Sequence, residues 1–82
     1  MTIHRTNDTV KLNPAVLEDE SVKTNHHLLS RILREEGIGV IREQDMDKST
    51  PQAFYYWVSF HYATFLLSEF HLMKVSDPTK NN

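Results

Sequence analysis

The chain contains no cysteine. That excludes a disulfide framework and the zinc sites built on thiolates, and it favours a reducing cytoplasm as the compartment. Glycine is nearly as scarce: Gly37 and Gly39 are the only two, so no glycine-rich loop is present to cradle a phosphate. No charge of one sign dominates, because nine Lys and Arg face eleven Asp and Glu for a formal net charge of −2. The summed field therefore offers little attraction to nucleic acid or to an anionic membrane. Also missing is an apolar run of the roughly 20 residues that a spanning helix needs. The most apolar stretch, Ala53 to Leu67, is interrupted by Tyr55, Tyr56, Ser59, His61, Tyr62 and Thr64. The opening "MTIHRTNDTVKL" has no basic patch followed by an apolar segment, so no signal peptide is expected.

What is present fits one small domain of 82 residues with a thin core. Residues 1–12 read as a flexible or strand-like arm, with an alternating "TVKL" at Thr9 to Leu12. Residues 13–74 read as a single helical domain, and 75–82 as a disordered tail. Asn13 suits an N-cap, Pro14 the first helical position, and Gly37 a left-handed stop. Between them, Val22, Leu28, Leu29, Ile32 and Leu33 fall in a stripe about 140° wide on a helical wheel, opposite Lys23, Arg31 and Arg34. "IGVI" at Ile38 to Ile41 is short and apolar enough for a buried extended segment. Thr50 and Pro51 then suggest a second helix start.

The segment from Pro51 to Lys74 carries the functional expectation. As a long helix it would be apolar over about two thirds of its circumference, more than the single stripe of the first helix can cover. Leaving Phe54, Val58, Phe65 and Leu66 in water would forfeit about 1.5–3 kcal/mol each. The expected fold is thus mostly α: an amphipathic helix, a short extended segment and a long apolar C-terminal helix, completed by dimerisation. The expected function is a non-catalytic, cytoplasmic protein that works by protein–protein binding, as an accessory subunit, regulator or inhibitor of a larger bacterial or phage machine. Its partner is another protein, a second copy, or both. The partner-binding residues expected are Tyr55, Trp57, Val58, His61, Tyr62, Phe65, Leu66 and Glu69, because buried aromatics supply most contact energy.

Other chemistry finds less support. His26 and His27 point about 100° apart on a helix, and His61 and His71 lie about 15 Å apart along one, so no pair clamps an ion. No metal, haem or other cofactor is expected. Glu69 has no second carboxylate or histidine one helical turn away with which to perform acid–base chemistry. An alternative is a small DNA-binding regulator, since "HLLSRILREEGIGV" resembles a helix-turn-helix segment. The aromatic, uncharged segment after the turn is a poor recognition helix.

Overall fold

The computed structural model describes residues 4–75. The chain runs through β1 (Thr9–Leu12), 3-10 turns at Pro14–Glu18 and Glu20–Asn25, and α1 (His26–Arg34). It continues through β2 (Ile38–Gln44), β3 (Tyr55–Ser59), β4 (Thr64–Ser68), a 3-10 turn at Glu69–His71 and β5 (Leu72–Lys74). The five strands form one antiparallel sheet in the order β4-β3-β2-β1-β5. This overturns the mostly α expectation. The one helical region is the Glu20–Asn25 turn and α1 in succession, and the expected long C-terminal helix is instead β3, β4 and β5. No helix among the described residues is long and apolar enough to cross a membrane.

The physical reason lies in the residue types. Tyr55–Ser59 and Thr64–Ser68 are short runs rich in aromatic and branched residues, which suit a pleated surface better than a helix. Thr50 Oγ1 does accept from the N–H groups of Gln52 and Ala53, at 3.3 and 3.2 Å, as a helix cap would. Thr50 N–H, however, donates to the Ala53 carbonyl at 2.8 Å and closes a tight turn. Folding back as a hairpin also answers the coverage problem. Alternation puts Tyr56, Val58, Phe60, Phe65 and Leu67 on one face, each at most 8 % exposed within a single chain. The argument for a dimer therefore falls.

These side chains meet Val10, Leu12, Ile41 and Leu72 from the other strands and Val16, Val22, Leu29 and Ile32 from the helical layer. A bare position on β2 is part of the fit: a Cβ on Gly39 would lie 2.7 Å from the Phe60 ring and from Val58. At the end of α1 the left-handed residue is Glu36 (φ 52°), not Gly37, and Gly37 N–H returns to the Ile32 carbonyl at 2.9 Å. Asn13 Oδ1 caps the first 3-10 turn by accepting from Ala15 N–H at 3.0 Å.

The sheet must be strongly curled. Neighbouring strands lie about 4.8 Å apart, so the edges of a flat five-stranded sheet would be separated by about 19 Å. Yet β4 and β5, on opposite edges, are joined only through Glu69–His71, and a chain advances at most about 3.6 Å per residue. Glu69 N–H bonds to the Phe54 carbonyl beside β3, and Asn13 N–H beyond β1 bonds to the His71 carbonyl, each at 2.8 Å. The curl thus brings the two edges together at this turn and lets them splay apart away from it. Residues 76–82 of the expected tail and 1–3 of the expected arm lie outside the described residues.

Candidate functional site: an open strand edge beside a helix

The hairpin formed by β3 and β4 fixes which backbone groups of β4 look outward. Phe60 N–H donates to the Ala63 carbonyl at 2.8 Å, and at the other end Glu69 N–H donates to that of Phe54. Opposed residues of an antiparallel ladder alternate between bonded and non-bonded pairs. Between those two ends, Val58 with Phe65 and Tyr56 with Leu67 are therefore bonded pairs, while Ser59 with Thr64, Trp57 with Leu66 and Tyr55 with Ser68 are not. The bond from Asp45 N–H to the Tyr55 carbonyl, at 2.8 Å, agrees with this phase by turning Tyr55 toward β2. Thr64, Leu66 and Ser68 consequently point their backbone groups away from the sheet. Among the described residues, no strand pairs with that edge.

The edge opens on a groove of about 410 Å³. Its other wall is Ser21, Val22 and Asn25 of the second 3-10 turn and Leu28 of α1; Lys48, Tyr55, Trp57 and Leu66 line it on the outer side of the sheet. Two side-chain ties join the sheet to the helical layer, one at the hairpin tip and one at the turn after β4. At the hairpin tip, Tyr62 hydroxyl donates to Glu35 Oε1 at 2.5 Å, Arg31 Nε donates to Glu35 Oε2 at 3.2 Å, and the Arg31 guanidinium sits 4.6 Å from the Tyr62 ring centre. The Tyr62 hydrogen bond, with that of Arg31, holds the Glu35 carboxyl below its ordinary range, and the same bond to Glu35 pushes the Tyr62 phenol up. At the opposite end, buried His71 donates through Nε2 to Asp19 Oδ2 at 2.7 Å and accepts through Nδ1 from Ser68 N–H at 3.1 Å. Since a backbone N–H can only donate, this pair of bonds sets the tautomer with its hydrogen on Nε2.

The carboxylate of Asp19 is pulled down to about 2, chiefly by hydrogen bonds from the Ser21 side chain and backbone, then by His71. Asp, His and Ser are the residue types of a hydrolytic triad, but the arrangement differs. The nitrogen that would activate a serine hydroxyl instead accepts the Ser68 backbone N–H, as the Glu of a capping box does. The group ties the edges of the curled sheet together. No cluster of three or more potential metal ligands occurs among the described residues.

The eight residues expected to form one binding surface are divided by the strand alternation. Val58 and Phe65 are core residues at 0 and 5 % exposure. Tyr55, Trp57 and Leu66 are half-buried on the opposite face, next to the groove. His61 and Tyr62 form the exposed hairpin tip, their rings 5.1 Å apart. Glu69 is buried, and its Oε1 accepts from Phe54 N–H at 3.0 Å, where the ladder leaves that donor over. No basic side chain of a second copy is needed to account for its burial. His61 and His71 share no helix, since one is on the hairpin tip and the other in the turn after β4. The helix-turn-helix resemblance does not survive either, because α1 is followed by β2.

Sequence reasoning did not single out Asp19, Glu35 or Lys48 as site residues, and it placed His71 on a long helix instead of in the turn after β4. The usable signal was the pair of five-residue strand-like runs around "FHYA". Comparison with family models, curated proteins and solved structures finds no match to this chain.

Proposed function

We propose that the protein is a non-catalytic binding module that accepts an extended segment of another protein as an added strand along β4. The observation that carries this reading is the outward backbone of Thr64 and Leu66 facing a groove walled by the helical layer. Strand addition draws affinity from main-chain hydrogen bonds and specificity from alternate side chains, and a slot between a sheet edge and a helix supplies both. The cysteine-free composition fits a cytoplasmic setting.

A display library of random short peptides, followed by amide NMR of the selected binders, tests the reading. Binding by strand addition shifts the Thr64 and Leu66 amide signals and slows their hydrogen exchange. Selected peptides that bind without touching those two amides would refute it, as would a library that yields no binder.

A further inference from the structure

The side chains around the groove define the chemistry of the strand it takes, an inference that rests on the strand-addition reading. Lys48 is exposed, with Nζ 4.9 Å from the centre of the Tyr55 ring, and no carboxylate forms an ion pair with it among the described residues. The nearby Asp45 carboxylate is already engaged by the backbone N–H groups of Asp47 and Lys48, each at 3.1 Å. His71, the other basic residue at the groove, is bonded to Asp19. Among the described residues, Lys48 is therefore the only lysine or arginine lining the groove, and it makes no ion pair.

The two faces of an entering strand meet different walls. Side chains opposite Phe65 and Leu67 turn toward the core side, where Val22 and Leu28 are apolar and close to buried. A side chain opposite Leu66 turns outward, toward Trp57; Trp57 and Tyr55, the latter with its covering lysine, are the β3 partners of Leu66 and Ser68. Ser68 is 4 % exposed and does not line the groove. Its N–H is already taken by His71, so the added ladder rests on the paired donors and acceptors of Thr64 and Leu66.

We infer that the groove binds a short strand antiparallel to β4 whose sequence runs acidic, apolar, polar, apolar, polar, with its ladder formed against Thr64 and Leu66 and its acidic residue leaving the ladder at the Tyr55 end of the groove, which Lys48 lines. Antiparallel pairing continues the geometry of the whole sheet and is the slightly more stable ladder. An acidic group there meets a cation seated over an aromatic ring, and a basic group meets repulsion.

The probe is the capped peptide Ser-Glu-Val-Thr-Val-Thr-Ser, compared with its Glu-to-Lys counterpart by fluorescence anisotropy at low ionic strength. The glutamate peptide is expected to bind about fivefold tighter, as befits a rim charge pair replaced by a like-charge pair. Lys48→Glu should reverse the order of the two peptides. N-methylation of the central threonine, whose N–H is aimed at the Leu66 carbonyl, should abolish binding, whereas N-methylation of the valine before it should not. Equal affinity for both peptides, with the N-methyl effect intact, would overturn the acidic specificity while leaving strand addition standing. Absence of any shift at the Thr64 and Leu66 amides with either peptide would remove strand addition and this inference together. A chain that scatters light with twice the monomer mass and excludes both peptides would show that a second copy occupies the edge, and would overturn the peptide assignment.

Discussion

The two edge strands of the sheet are treated differently. β5 is three residues long, ends in exposed Lys74 and borders β1. Shortness and lysine are the usual means by which an edge avoids pairing with other chains. β4 is five residues of "TFLLS" with no charge at all, and it carries two residues whose backbone donors and acceptors look outward. Its protection is of another kind, since the helical layer stands alongside and is joined to the sheet by the Tyr62 and His71 ties. A wall excludes sheets and admits a single slender chain. One edge is thus closed by chemistry and the other restricted by shape.

Substitutions that exchange these characters test the contrast. The largest effect should come from proline on β4. Phe65→Pro removes a donor aimed at β3 and a buried ring, and should cost about 3–5 kcal/mol from the ring alone. Thr64→Pro removes only an outward donor and the exposed Ser59–Thr64 hydroxyl contact, and should cost no more than about 1 kcal/mol. Urea unfolding of the pair compares them, and equal losses would show that the ladder phase has been assigned the wrong way round. Next is His71→Ala at the joint between the edges. It strands the buried Ser68 N–H and should cost about 1–3 kcal/mol, read from the same unfolding curves.

Acid should separate the joint from the middle of the sheet. His4 is 4 % exposed against Tyr56, and neither of its ring nitrogens has a hydrogen-bond partner among the described residues. Burial lowers its pKa, so the unfolded chain takes up the proton first. Stability is then at its full value above an ordinary histidine pKa of about 6.5 and declines as pH falls from there toward the lowered value. Asp19, held at about 2 instead of 3.8, behaves as a depressed carboxylate: its contribution is present above 3.8 and is lost as pH falls toward 2. Unfolding free energy measured against pH should therefore fall in two separate stages. His4→Phe should remove the upper stage and Asp19→Asn should shrink the lower, to which the depressed Glu35 carboxyl also contributes. The smallest effect belongs to Tyr62→Phe, an exposed tie whose loss should leave the unfolding midpoint unchanged while raising hydrogen exchange at the hairpin tip.

Parts of this arrangement are visible in the sequence. "TVKL" and "IGVI" alternate or cluster as strands do, and they are β1 and the start of β2. The stripe of Val22, Leu29 and Ile32 marks the buried side of the helical region. The hairpin was hidden for a specific reason. Its connection is the dipeptide His61-Tyr62, without the glycine or asparagine that usually marks a tight hairpin turn. Its strands are also apolar on both faces, because Tyr55, Trp57 and Leu66 line a groove instead of meeting water. An uninterrupted apolar run then has no period of two to betray it, and a helical wheel will sort any such run into arcs. The site was legible only as an unexplained excess of apolar residues. Its polar ends depend on pairings 27 and 52 residues apart in the chain, Glu35 with Tyr62 and Asp19 with His71, which no local pattern encodes.

The position of β1 has a consequence for how the protein is made. It lies between β2 and β5, with Val10 aligned to Gly39 on one side and to Lys74 on the other. Synthesis runs from the amino end, so β1 emerges before either neighbour, and β5 follows only after β2, β3 and β4. Contacts between such distant parts of a chain form slowly, because a long loop has to close before they are rewarded. Until Lys74 has cleared the ribosome, the nascent chain displays β1 with one of its two neighbours still missing, and the interval is one in which a chaperone, or a neighbouring nascent copy, competes for Val10 and Leu12.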